Sequence, residues 1–155
     1  ATKEAKFFAV SFDRNGIVGW RRSEISDEDP GYDKAHIIEV LSEKASPEYL
    51  SYLRKTGISY IFAGKNDIDI NTALKKLYSY FNIKTLLLEG GSIINGAFLR
   101  AEVIDELSIV VAPIIAETAD KPLFYNSSIQ NFSIKEITQY PGGVIRLNYI
   151  KNREE

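Results

Sequence analysis

The residues with the clearest chemical potential are Glu89-Gly90-Gly91-Ser92. They follow Thr85-Leu86-Leu87-Leu88, a run without polar alternation, and precede Ile94, Ala97, Phe98 and Ala101 at helical spacing. A strand that passes through two glycines into a helix lets the backbone approach a ligand with no Cβ between them. The helix start adds unpaired N–H groups and a partial positive charge, which together suit a phosphate or diphosphate. The spacing is neither GxGxxG nor a Walker A loop. A plain strand-to-helix turn capped by Ser92 therefore stays open beside the anion site. Glu89 also has two readings. Its carboxylate can hold an amide, ring N–H or hydroxyl of a ligand, or exchange a proton if burial raises its pKa. Alternatively it is a first-turn residue that complements the helix dipole. A second loop, Gly64-Lys65-Asn66, closes the apolar run Ile58–Ala63. Ligands in open α/β sheets bind beyond the carboxyl ends of the strands. That makes Gly64 a candidate cofactor contact, and Lys65 either a phosphate partner or a solvated lysine.

Composition removes other chemistries. There is no Cys and one His among 155 residues, which excludes disulfides, thiolate nucleophiles and Cys- or His-cluster metal sites, so no metal is expected. With Lys+Arg 19 and Asp+Glu 21 the net charge is −2, and a nucleic-acid partner, which needs a basic face, is not expected. No window nears the 18 or so apolar residues of a membrane span. The charged segment Ala1–Lys6 is no secretory signal, and the expected location is the cytoplasm. His36 reads as a partly buried strand residue. Trp20 and the nine Tyr read as packing, and Asp105-Glu106 as a loop turn or an inter-subunit contact.

These residues need elements to position them. Phe7–Phe12 predicts a strand with a turn at Asn15-Gly16, and Ile17–Trp20 a short returning strand. Arg21–Lys34 is a loop, its acidic centre Asp27-Glu28-Asp29 a solvated cluster. His36–Leu41 is the next strand. Ser46-Pro47-Glu48 opens a helix that Gly57 ends. Ile70, Leu74, Leu77, Tyr78 and Phe81 make an amphipathic helix capped by Asp69 or Asn71. Lys84–Leu88 and Leu107–Ala112 are strands apolar on both faces. Ser133–Gln139 and Val144–Ile150 flank Pro141-Gly142-Gly143 as a hairpin. The alternation predicts one α/β domain over residues 1–155, a three-layer αβα arrangement of a mostly parallel sheet with a C-terminal antiparallel hairpin.

Leu86-Leu87-Leu88-Glu89-Gly90-Gly91-Ser92, Asn95, Phe98-Leu99, Ile104-Asp105-Glu106-Leu107 and Ala112-Pro113 together resemble the RibD C-terminal reductase family of riboflavin biosynthesis. The likeness runs from about Phe7 to Phe124, and Phe8–Gly16 resembles an internal strand and turn of that family. It implies a dihydrofolate-reductase-like fold and NADPH-dependent hydride transfer. The small-molecule substrate would resemble that of 5-amino-6-(5-phosphoribosylamino)uracil reductase. It implies that Glu89 contacts substrate, that Gly90, Gly91, Ser92, Ile93, Ile94 and Asn95 hold the cofactor diphosphate, and that the protein is a homodimer. The family's opening Ser-Leu-Asp-Gly-type and Gly-Arg-x-Thr-type segments have no counterpart here. The expectation is thus a domain lacking its first strands, with Ala1 inside a longer protein and a missing N-terminal segment as a pairing partner.

No residue stands out as a general acid, which a cofactor-driven reaction tolerates. The alternative is a non-catalytic nucleotide-binding or dimerisation module of the same fold. An unrelated doubly wound nucleotide-binding fold is disfavoured, since its fingerprint follows the first strand and carries a third Gly.

Overall fold

β1 (Phe8–Asp13), β2 (His36–Leu41) and β3 (Ser59–Phe62) form a parallel sheet in the order β1-β2-β3. They belong to a computed structural model that describes residues 7–25, 34–115 and 122–152. The acidic cluster Asp27-Glu28-Asp29 lies outside the described residues. Contacts gather the chain into two compact units, Ala1–Leu86 and Leu87–Glu155.

In the first unit β2 is central, and all six of its residues are buried, as a strand covered on both faces requires. Two helices follow from their caps. The Ser46 hydroxyl accepts from the Tyr49 N–H at 3.1 Å and starts α1 (Pro47–Thr56), and Gly57 ends it at φ 79°. The Asp69 carboxylate accepts from the Thr72 N–H at 2.6 Å and starts α2 (Ile70–Phe81). Strand alternation then divides the apolar residues. Ile38, Val40 and Ile61 pack with Ala73 and Leu77 of α2, whereas Ile37 and Leu41 pack with Leu53 of α1.

The returning strand expected at Ile17–Trp20 does not form. This segment instead bends round the carboxylate of Asp13, which accepts the N–H groups of Asn15, Gly16, Ile17 and Val18 at 2.5–3.3 Å. A side chain that takes four successive donors removes them from any ladder.

In the second unit α3 (Ser92–Arg100) precedes β4 (Glu106–Val111), β5 (Phe132–Gln139) and β6 (Ile145–Lys151). The expected hairpin is present, turning through Pro141–Gly143. β4 differs from expectation. It runs antiparallel to β6 as an outer strand of the order β4-β6-β5. It alternates, with Leu107 and Ile109 half-buried and Glu106, Ser108 and Val110 exposed. Lys84–Leu88 is not a strand. Among the described residues β3 pairs with β2 alone, and Leu87 is 78% exposed. An apolar run without a neighbour to take its N–H and C=O groups cannot become a buried strand. The α/β class stands, with the strands in two three-stranded sheets, one parallel and one antiparallel.

Candidate functional site

The start of α3 is built as an open cradle. Its N-cap is Gly91, not Ser92, and no side chain caps it. Helix geometry leaves the N–H groups of Ser92, Ile93 and Ile94 without intrahelical acceptors, and the first acceptor taken is Gly91 O, from the Asn95 N–H at 3.1 Å. Space above Gly91 is empty: an added Cβ would meet nothing within 4 Å. Gly90 is the opposite case, where a Cβ would overlap Cγ2 of Ile94. Only glycine lets the chain pass so close to the first turn. Beside it Asn95 has a buried Oδ1 with no partner, while its Nδ2 donates to Leu123 O at 3.2 Å.

The helix behind the cradle is held along its length. The Tyr125 N–H donates to Ser92 O at 2.9 Å, Arg100 donates to Asn126 O, and the Gln130 amide and Ser128 hydroxyl donate to Leu99 O. Gly96 lets the backbone of Tyr125 lie directly on the helix, since a Cβ there would overlap Tyr125 O. The N–H groups of α3 are thus fixed in direction before any ligand arrives.

Gly90, Gly91, Ser92, Ile93, Ile94 and Asn95 therefore come together in one turn as expected, and Glu89 lies beside them, exposed. Gly64 belongs to the first unit. Its φ of 131° and its closeness to Asp67 O make it the pivot of the turn from β3 to α2, where its own C=O accepts from the Glu43 N–H at 2.9 Å. Free N–H donors, a partial positive helix end and no obstructing side chain fit the diphosphate of a dinucleotide. The unpartnered Asn95 oxygen fits a hydroxyl or amide donor next to it. Among the described residues no cluster of His, Asp and Glu could hold a metal, and no helix is long and apolar enough to cross a membrane.

A profile of the RibD C-terminal domain matches residues 31–146. The chain belongs to this family. Two curated relatives are named 2,5-diamino-6-ribosylamino-4(3H)-pyrimidinone 5′-phosphate reductase. The one from Methanothermobacter thermautotrophicus is 34% identical over 88 residues, 57% of this chain and 40% of the relative. The one from Aquifex aeolicus is 33% identical over 89 residues, 57% of this chain and 39% of the relative. The chain thus matches about two-fifths of the length of these relatives. Among solved structures, a pyrimidine reductase-like protein from Corynebacterium diphtheriae superposes with a TM-score of 0.73 at 19% identity, over 94% of this chain and 61% of that one. RibD from Acinetobacter baumannii gives 0.65 at 22% identity, over 92% and 37%. The fold is that of these two proteins, as the resemblance to the RibD C-terminal reductase family implied.

This member of the RibD C-terminal domain family also holds a polar cluster that sequence reasoning missed. Glu39, at the middle of β2, has no exposed surface. The Trp20 indole N–H donates to its Oε1, while Oε2 has no partner. Burial pushes its pKa from 4.5 to about 7, against the opposing hydrogen bond from Trp20, with the Asp13 carboxylate adding to the rise. Burial also pushes the Tyr49 phenol up, so that it stays a donor. It donates to Val18 O at 2.8 Å. A lone carboxylate inside His36-Ile37-Ile38-Glu39-Val40-Leu41 was the available signal. On the opposite face His36 is buried, its Nε2 2.9 Å from the Ser59 hydroxyl. Desolvation lowers its pKa.

Proposed function

We propose that the chain is the cofactor-binding part of an NADPH-dependent reductase acting on a ribosylamino-pyrimidine phosphate or a similar small substrate. The observation that carries this reading is the uncapped start of α3 over Gly91, in a chain whose curated relatives are named as such reductases. The N–H groups of Ser92, Ile93 and Ile94 would hold the diphosphate. Gly90 lets the chain pass against Ile94 into the helix, and Gly91 leaves the approach clear. The Asn95 oxygen would accept a hydrogen bond from the nucleotide, and Glu89 would orient a donor group of the substrate. When bound, the nicotinamide supplies a hydride. The family likeness accommodates reduction of a ribosyl to a ribityl group, and the cytoplasm is the compartment proposed for it.

The test is a calorimetric NADPH titration of the wild type and Gly91→Asp. An N-cap Asp suits a helix start, and the space above Gly91 is free, so the variant folds. Its carboxylate would take the N–H groups and repel the diphosphate. Micromolar binding lost in the variant supports the reading. Equal binding in both moves the cofactor elsewhere, and no binding to the wild type at millimolar NADPH removes the reading for this chain alone.

A second reading is a dimerising nucleotide-binding module without catalysis. Two observations favour it. β3 has one edge without a strand partner among the described residues, which suits a strand from an N-terminal segment or another chain. The β4-β6-β5 register also lines up Ile109, Leu147 and Ile137 on one face, with Ile134 58% and Ile137 59% exposed. A homodimer would cover that face. Sedimentation of Ile137→Asp is expected to give a monomer where the wild type gives a dimer. A monomeric wild type removes the dimer.

A further inference from the structure

A buried carboxyl with an empty oxygen needs an explanation that cofactor binding does not supply. Glu39 projects from β2 into the apolar face made by Ile37, Leu41 and Leu53. The groups around it come from every neighbouring element. Ser11 is its register partner on β1 and places a hydroxyl beside it, and Asp13 ends the same strand. α1 contributes the phenols of Tyr49 and Tyr52. β3 contributes Tyr60, its other register partner, whose hydroxyl accepts from Arg54 at 2.8 Å. No cation is paired with Glu39 among the described residues. The surroundings suit a neutral acid and oppose a carboxylate.

The segment Arg14–Trp20 is pinned over this cluster by hydrogen bonds. Besides the four N–H groups on Asp13, Arg14 O accepts from the buried Ser42 hydroxyl at 2.6 Å. Val18 O accepts from Tyr49 and Trp20 O from Tyr52. The far end is closed by the indole of Trp20 on Glu39.

We propose that Glu39 is a proton-linked latch: neutral, it keeps the Arg14–Trp20 strap seated on β2 and α1; ionised beside Asp13, it releases the strap and exposes Trp20. Neutral Glu39 can donate its O–H toward Ser11 while Oε1 accepts from Trp20. Once charged, it is favoured by the Trp20 and Ser11 hydrogen bonds but opposed more strongly by burial, with Asp13 adding to the opposition, and admitting water relieves that burial. The nearest route is displacement of the strap, since β2 has a strand on each side. The open form ionises near the ordinary 4.5 and the seated form near about 7, so opening grows by about tenfold per pH unit between these values and levels off above them.

Trp20 is the single Trp of the chain and serves as the probe. Its fluorescence, followed from pH 5 to 9 in the full chain, is expected to change in one step with a midpoint of about 7. In Glu39→Gln, an isosteric neutral side chain that still accepts from the indole, the step is absent. Amide exchange at Ile17 and Val18, corrected for the intrinsic rate, is expected to lose roughly tenfold protection per pH unit between about pH 5 and 7 in the wild type, levelling off above, and none in Glu39→Gln. A flat wild-type fluorescence profile, the same step in the variant, or unchanged protection overturns the latch. If Glu39→Gln does not fold, carbon NMR of the wild-type carboxyls decides. A Glu39 resonance titrating in the ordinary carboxylate range overturns the proposal, and one near neutrality supports it.

Discussion

The indole N–H of Trp20 is hydrogen-bonded to Oε1 of Glu39, joining a loop residue to the middle of a strand whose residues are all buried. This bond favours the ionised carboxyl, whereas burial and Asp13 favour the neutral one. Trp20→Phe keeps the aromatic packing and removes the donor. The pKa of Glu39 is then expected to rise above its value of about 7. The folded-state pKa lies above the ordinary 4.5. The stability tied to neutral Glu39 is therefore fully present below pH 4.5 and is lost as pH rises through about 7. In Trp20→Phe that loss moves to higher pH. Thermal melts across pH 5 to 10 show the displacement, and an unmoved or downward-moved midpoint contradicts it. His36 has the opposite sign. Its lowered pKa makes stability fall as the solution becomes more acidic, so its contribution is not confused with that of Glu39.

Asp13 is buried, and its carboxylate is the acceptor for four backbone N–H groups. Asp13→Ala leaves these donors in a partly closed environment without an acceptor. The expected cost is about 3 kcal/mol, the scale of charge-assisted hydrogen bonds lost at a buried group. Urea denaturation measures it. A change below about 0.5 kcal/mol, typical of an ordinary surface position, would mean that Tyr49, Tyr52, Ser42 and the Trp20–Glu39 bond hold the strap without Asp13.

Gly96→Ala tests how α3 is braced. The new methyl would overlap Tyr125 O, a backbone atom that cannot turn aside as a side chain can. Either α3 or the segment around Tyr125 must move. Overpacking of this kind costs on the order of 2 kcal/mol. Hydrogen exchange is expected to speed up at Tyr125, whose N–H is held by Ser92 O. Unchanged exchange there means that the two backbones are not in contact in solution.

Both helices of the first unit were legible because their caps are local, and the core face of α2 because its residues recur at helical spacing. Ser46, Gly57 and Asp69 act within four residues of themselves. The cradle at Gly90-Gly91 was legible for the same reason: two adjacent glycines before a helix describe their own geometry. Three other features depend on partners distant in sequence. Whether Lys84–Leu88 becomes a strand depends on a neighbouring strand to bond with, and composition cannot supply that information. β4 has the apolar content of a central parallel strand, but its position follows from pairing with β6 about forty residues later. Trp20 reads as ordinary packing until the register of β2 places Glu39 beneath it. Asp13 stands between the Phe7–Phe12 strand and the Asn15-Gly16 turn, and its burial follows from α1 bringing Tyr49 against the strap.

Gly90 and Ile94 are expected to be energetically coupled through the proposed cofactor site. The position of Cγ2 of Ile94 is fixed by its branched side chain, which has one dominant rotamer in a helix. A methyl at residue 90 would overlap that atom, so Gly90→Ala must displace the loop leading into α3. The N–H groups of Ser92 and Ile93 then lose their alignment, and NADPH affinity is expected to fall by about tenfold, equivalent to 1.4 kcal/mol. Ile94→Ala removes the obstructing atom and leaves the backbone donors in place, so by itself it should weaken binding little. In the double variant the alanine at 90 has room, and affinity should return to within about threefold of Ile94→Ala alone. Calorimetric titration of the three variants completes the cycle. A double variant that binds as poorly as Gly90→Ala would show that clearance from Ile94 does not set the affinity.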